Sequence, residues 1–259
     1  MTVGLSLLPS CVATGYKVRR NVAYAQSDWM QLNEGDLYQP KTSGRKPAIL
    51  LLHGDGRIGD DGRWQMAGIA RRLAQRGYVV FNATYRMAPD WTYPAPLVDA
   101  RAALRWMRDH ADENGIDPNR IGVFGYSAGG YVGMLTAMKG EADVKAVVAG
   151  GAPSNLTYYA GGDLIRNFLG GRVEDIPEKY WEASPVNDVG AGSPPVFLYH
   201  GEKDTLVSPD HLLEMEDKLV ENGVPHEVFW IHGKGHIGAF LSQGKALAAA
   251  MEFLDKHLK

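Results

Sequence analysis

The sequence predicts an α/β fold: a mostly parallel twisted sheet with helices on both faces, an N-terminal antiparallel hairpin and a small lid insertion. Three observations predict it. Short apolar runs rich in β-branched residues alternate with longer runs of helical period. Several of the short runs are apolar at every position, as in strands buried on both faces. And the run Ile121–Phe124 leads into a helix-like run through "GYSAGG", a serine set among small residues with no polar linker on either side.

The elements follow in order. Val18–Ala25 and Gln31–Tyr38 read as the entry hairpin. The parallel strands are expected at Ala48–Leu52, Tyr78–Ala83, Ile121–Phe124, Val144–Ala149, Val196–His200 and Glu227–Ile231. The helices between and after them are expected at Arg63–Arg76, Val98–Asn114, Ala128–Lys139, Pro209–Asn222 and Gln243–His257. Gly77 and Gly223 stand where C-terminal caps belong, and Ser208-Pro209 reads as an N-cap followed by a first-turn proline. The connection from Gly150 to Ser193 is too long for a plain loop and holds Tyr158, Tyr159, Phe168, Tyr180 and Trp181. It would overhang the carboxyl ends of the strands, where open α/β sheets bind ligands. It therefore reads as a small lid, about 151–193, within a single domain spanning 18–259. Residues 1–17 read as a flexible tail or a signal remnant.

Composition narrows the function. The chain has 259 residues, 45% of them hydrophobic, which suits one domain with a sizeable core. Net charge is −3 with both signs interspersed, and no basic stripe calls for nucleic acid. No apolar run reaches the ~18 residues that a spanning helix needs. The one cysteine, Cys11, cannot form an internal disulfide. Leu8-Pro9-Ser10-Cys11 resembles a bacterial lipoprotein cleavage box, although the apolar patch before it is short and lacks a basic flank. Location is thus open between the cytoplasm and, if the start is a truncated lipoprotein signal, a periplasmic or membrane-anchored site. No HExxH or cysteine cluster is present, so neither metal nor cofactor is expected. Nothing in the pattern decides between monomer and homodimer.

Gly125-x-Ser127-x-Gly129 matches the nucleophile elbow. The physical need is steric: a nucleophile lifted clear of the sheet on a sharp turn tolerates only small residues two positions away. Such a serine needs a base, itself oriented by an acid, in the chain order Ser, Asp or Glu, His. After "PPVFLYH", the loop "GEKDTLVSP" offers Glu202 and Asp204. Asp204 is preferred because it lies deeper in the loop, and Asp210 reads as a first-turn helix acid. After "HEVFWIH", the loop "GKGHIGAF" follows His232 and contains His236. His236 is preferred because glycines flank it and can swing it over the sheet edge, whereas His232 ends the strand. Oxyanion donors are expected from the backbone N–H of Ala128 and of Asp55 and Gly56 in "HGDG", with His53 bracing that loop. Tyr126, Tyr158, Tyr159 and Trp181 are the candidate substrate contacts. The expected ligand is a small molecule.

These pieces together resemble a known family. "HGDG", "YRMAP" with "YPAPLVDARAALRW", "GYSAGG", "ASPV", "YHGEKDTLV" and "GKGH" run in order over roughly residues 18 to 258. The chain resembles an α/β-hydrolase carboxylesterase, near the hormone-sensitive-lipase-like and bacterial acetyl- and feruloyl-esterase-like groups. The resemblance implies the α/β-hydrolase fold and a metal-free serine esterase acting on short-chain carboxylic esters through an acyl-enzyme. It carries over Ser127 as nucleophile, Asp204 as acid, His236 as base, and Asp55, Gly56 and Ala128 as oxyanion donors. A peptidase or arylformamidase of the same fold, or a non-catalytic ligand binder, is the alternative. Two departures stand out. Asp55 replaces the middle glycine of the usual His-Gly-Gly-Gly, and Arg57 replaces an aromatic residue. The Asp55 carboxylate is expected to point away from the oxyanion, toward Arg57 or Arg63.

Overall fold

The computed structural model describes residues 15–25, 33–54, 61–140, 142–159 and 162–259. Its centre is an eight-stranded sheet: β1 (Tyr16–Ala23), β2 (Glu34–Pro40), β3 (Lys46–Leu52), β4 (Val79–Ala83), β5 (Ile116–Tyr126), β6 (Val147–Gly150), β7 (Val196–Gly201) and β8 (His226–Ile231). The spatial order is β1-β2-β4-β3-β5-β6-β7-β8. β1 pairs antiparallel with β2, and β2 antiparallel with β4; every pairing from β4 and β3 through to β8 is parallel. The result is an α/β-hydrolase fold with the expected entry hairpin.

Nine helices lie among the described residues. They are α1 (Arg63–Gln75), α2 (Ala95–Asp109), α3 (Ala111–Asn114), α4 (Ala128–Met138), α5 (Asp163–Leu169), α6 (Pro177–Glu182), α7 (Asp210–Glu221), α8 (His236–Leu241) and α9 (Gly244–Leu258). They divide the core into two layers. Ala48, Leu50 and Leu52 of β3 face the layer that holds α2, α4 and α7, while Ile49 and Leu51 face the layer of α1 and α9. Each of these β3 residues is fully buried, so the strand is apolar from Ala48 to Leu52.

Local chemistry sets the ends. Gly77 and Gly223 follow α1 and α7 with φ of +99° and +65°. Beside them Tyr78 N–H reaches back to Leu73 O, and Val224 N–H to Leu219 O, closing Schellman-type ends. Ser208 Oγ accepts from Asp210 N–H at the start of α7.

Some boundaries depart from the sequence reading. α2 begins at Ala95, with Pro94 as its N-cap and Pro96 in its first turn, where proline needs no N–H acceptor. The expected helix to Asn114 is interrupted at His110, whose backbone leaves the helical region at φ −107°, ψ +24°. β6 takes up only Val147–Gly150 of the run expected from Val144. "HIGAFL", expected as loop, forms α8. The long connection after β6 contains α5 and α6 flanked by two 3₁₀ turns, Leu156–Tyr159 and Pro185–Asp188. It is pinned to the body: Tyr131 of α4 donates to Ala183 O, and Phe168 packs edge-on against Tyr93 and Tyr131.

Candidate active site

Ser127 sits between β5 and α4 with φ +55° and ψ −123°, a backbone that few L-residues adopt. The glycines around it have measurable reasons. A Cβ on Gly125 would lie 2.3 Å from Gly129 C and O, and a Cβ on Gly129 would lie 2.3 Å from Leu52 O at the end of β3. Helix α4 thus starts directly against the sheet. Ser127 N–H donates to Gly150 O (2.8 Å), locking the turn to the end of β6. Ala128 is the first residue of α4, and a first-turn N–H has no intrahelical acceptor and carries the positive end of the helix dipole.

Asp204 and His236 arrive from later strands. Asp204 lies three residues past β7 and is 3% exposed. Its Oδ1 accepts the backbone N–H of Leu206 (3.0 Å) and Val207 (2.9 Å). His236 opens α8, beyond β8. Its Nδ1–H donates to Asp204 Oδ2 (2.6 Å), and Ser127 Oγ–H donates to its Nε2 (2.9 Å). Because a carboxylate only accepts, Nδ1 carries the proton and Nε2 presents its lone pair to the serine. Burial, the largest influence on Asp204, pushes its carboxyl up. Hydrogen bonds from His200, His236 and the Val207 N–H outweigh it and hold the group well below the usual carboxylate range.

Glu202 and His232, the runners-up for acid and base, sit elsewhere. Glu202 Oε2 accepts from Gly233 N–H (2.8 Å) and lies 3.8 Å from the exposed imidazole of His232. Asp210 is the first-turn acid of α7 and accepts from Ser208 Oγ–H (2.7 Å). His53 stacks on Tyr85 and bonds Gly54 O through Nδ1 (2.7 Å), bracing the chain as it leaves β3. That chain passes close to the serine: a Cβ on Gly54 would lie 3.4 Å from Ser127 Cβ. Asp55, Gly56 and Arg57 lie outside the described residues, as does Cys11. The guanidinium of Arg63 bonds Asp61, Asp36 and Asn21.

The four candidate substrate residues divide. Tyr126 is 4% exposed, and its hydroxyl donates to His236 O (2.7 Å). Its ring lies 5.2 Å from the imidazole, so Tyr126 packs against the histidine from below. Tyr159 stacks on His211 (5.0 Å) beside the acid loop. Tyr158 and Trp181 are exposed on the insertion, Tyr158 against His211.

Two further histidines were not singled out from sequence. His200, the penultimate residue of β7, is buried behind Asp204. His211 of α7 is buried beneath the insertion, where its Nδ1 accepts the N–H of Ser154 (3.2 Å) and Asn155 (3.3 Å). The only signal for His200 was its place four residues before the acid, on the same strand end. Among the described residues no helix is long and apolar enough to cross a membrane, and no three His, Cys, Asp or Glu side chains are grouped to hold a metal ion.

A sheet of this order, with a serine elbow after its fifth strand and a histidine and carboxylate brought to it from later strands, defines an α/β-hydrolase of the carboxylesterase type. Within that class the chain belongs to the BD-FAE family, which it matches over residues 35–219. It is 31% identical over 207 residues to the uncharacterized peptidase YtmA of Bacillus subtilis, covering 76% of this chain and 78% of that one. It is 26% identical to esterase LipC of Mycobacterium tuberculosis over 79% of this chain, but spans only 55% of LipC's length. Among solved structures, esterase 2 of Thermogutta terrifontis superimposes with a TM-score of 0.78 at 25% identity, covering 94% of this chain and 95% of that one. That esterase has been solved with butyrate bound, with propionate bound, and phosphonylated by cyclosarin.

Proposed function

We propose that the chain hydrolyses short-chain carboxylic esters through a Ser127–His236–Asp204 triad and an acyl-enzyme. The observation that carries this reading is the unbroken line from Asp204 Oδ2 through the two imidazole nitrogens to Ser127 Oγ, with steps of 2.6 and 2.9 Å. His236 Nε2 takes the hydroxyl proton as Oγ attacks the ester carbonyl. The carbonyl oxygen becomes an oxyanion held by the Ala128 N–H and by the N–H groups of Asp55 and Gly56. On collapse, His236 gives its proton to the departing alcohol. Water then repeats the sequence on the acyl-serine, releasing the acid and restoring the hydroxyl. Asp204 keeps the imidazole in the Nδ1–H tautomer and stabilises the transient imidazolium.

The small-acyl part of the reading draws on the insertion. The insertion carries only two short helices, too small for a deep cover, and the T. terrifontis relative has been solved with butyrate and with propionate bound. Tyr158, Tyr159 and Trp181, on the insertion, are proposed to contact the acyl or alcohol part.

The test is hydrolysis of p-nitrophenyl esters from acetate to decanoate, with Ser127→Ala alongside and a fluorophosphonate label on both. The expected result is a maximum at two to four acyl carbons, at least ~1,000-fold loss of kcat in Ser127→Ala, and labelling of the wild type alone. A folded wild type that neither turns over an ester nor takes the label would sink the proposal.

A further inference from the structure

A carboxylate that orients an imidazole must itself be held, and among the described residues the backbone holds one of Asp204's oxygens. Oδ1 takes the N–H groups of Leu206 and Val207. Oδ2, the oxygen that meets His236, has no backbone donor among the described residues; its second neighbour is the imidazole of His200.

We propose that His200 is a positioning residue for the triad, tying down the Asp204–Val207 turn and sharing with His236 the oxygen through which Asp204 acts. The inference rests on the triad proposed above. His200 is 2% exposed and comes from the end of β7, four residues before the acid. Its Nε2 lies 2.9 Å from Val207 O and 3.4 Å from Asp204 Oδ2. Both neighbours only accept, so Nε2 carries the proton and shares it as a three-centre bond, the shorter arm to the carbonyl. The turn is thereby closed from both sides. Val207 gives its N–H to Oδ1 and receives the His200 N–H at its carbonyl.

The surroundings leave this task to His200. Tyr126 and Tyr159 both face Asp204, but the Tyr126 hydroxyl is committed to His236 O, and the Tyr159 hydroxyl lies 3.5 Å from Leu206 O. His211 of α7 faces both His200 and Asp204, with Asp210 behind it, and turns its Nδ1 to the insertion backbone. From β8, the Trp230 ring lies 6.3 Å from the His200 ring. His200 and His211 line a cavity of about 10 Å³ together with Met134, Leu198 and Met215, and at 2% exposure the His200 ring is shut off from bulk water. Among the described residues, His200 is therefore the side-chain donor other than His236 that points at the carboxylate.

The consequence is electrostatic as well as steric. An N–H donor beside Oδ2 stabilises the carboxylate and weakens its hold on the His236 imidazolium. Removing that donor strengthens the hold, so the triad accepts a proton more readily and loses activity at a higher pH.

The experiment compares kcat/KM against pH for p-nitrophenyl acetate in the wild type, His200→Leu, which deletes the donor, and His200→Gln, which puts an amide N–H near the Nε2 position. The expected result is an acid limb moved up by about half a unit to one unit in His200→Leu, the share of one hydrogen bond, with kcat down roughly tenfold. His200→Gln returns the limb toward the wild type. If His200→Leu does not fold, His200→Asn replaces it, since its shorter amide falls short of Asp204. A kcat loss with the acid limb unmoved, or a limb moved equally by Gln and by Leu, overturns the proposal. Failure here is distinct from failure of the triad. An active wild type, a dead Ser127→Ala and an unmoved limb remove only the role of His200.

Discussion

Adding one methyl group at position 125 tests how rigidly Ser127 is held. The backbone of Gly129 lies 2.3 Å from where that methyl would go, so α4 must move for it to fit. The serine rides on the first turn of that helix, and a shift near 1 Å costs on the order of 100-fold in rate. Gly125→Ala is therefore expected to lose about two orders of magnitude in kcat on p-nitrophenyl acetate while its circular dichroism stays close to wild type. A variant with wild-type kcat would mean that α4 can shift without carrying Ser127 along. The sequence made this motif legible because the reason for its glycines is short-range: the elbow brings residues four apart into contact. His200 and the buried role of Tyr126 were not legible, because each depends on a residue from another strand end. In the sequence Tyr126 reads as a substrate contact. Only the fold reveals that its hydroxyl reaches His236, 110 residues away.

The insertion after β6 hangs on a neutral imidazole. His211 Nδ1 accepts from two backbone N–H groups of the insertion, and Ser154 Oγ–H donates to His211 O (2.7 Å). Burial, then the neighbouring His200, hold His211 down to about 4, below its ordinary 6.5, while Asp210 and Asp204 oppose them more weakly. A protonated Nδ1 can no longer accept. Between pH 6.5 and about 4 the unfolded chain binds a proton that the folded chain refuses, so stability falls as pH falls through this window. Above 6.5 the contribution is fully present. Hydrogen exchange of residues 154–159 is expected to quicken as pH drops from 6.5 to 4, after correction for the intrinsic rate, and to do so before the sheet amides follow. Protection that holds flat to pH 4 would contradict this. From sequence, the insertion was visible as an over-long connection rich in aromatics. Its anchor was not visible, because a histidine in an amphipathic helix carries no mark of what it faces. The short α8 was hidden for a related reason: Gly238 lowers its helix propensity and glycines at 233 and 235 precede it, while packing of Ala239 and Phe240 makes up for this.

Both faces of the sheet are closed by helices, and the final helix seals one of them. α9 buries Leu247, Met251, Phe253 and Leu254 against Phe197, Val148 and Phe124. Asp255 ties the same helix to Tyr78 (2.7 Å) and Arg76 (3.0 Å). Phe253, 2% exposed, stands 5.7 Å from the Phe197 ring. Phe253→Ala is expected to cost about 3–5 kcal/mol, the usual range for emptying a buried aromatic site. In a domain of this size that lowers Tm by on the order of 10 °C, checked by calorimetry, with kcat at 25 °C little changed. A fall in kcat without a fall in Tm would place Phe253 in the chemistry and contradict its role as packing. The parallel order itself was legible, since strands apolar on both faces admit few other arrangements. The strand boundaries were less so, because hydrogen-bond registers such as Lys46 with Ile116 depend on neighbours that a linear reading does not supply.

The three side chains of the proposed triad stand at the ends of three different strands, and Ser127 and His236 are separated by 109 positions. None of the intervening loops can bring them together alone; β6, β7 and β8 must dock in turn on β5. Contacts this distant in sequence form late, since loop closure opposes them until the sheet is nearly complete. On the proposed triad, a chain still emerging from synthesis carries its serine without a base. Recovered activity would then report that β8 has docked.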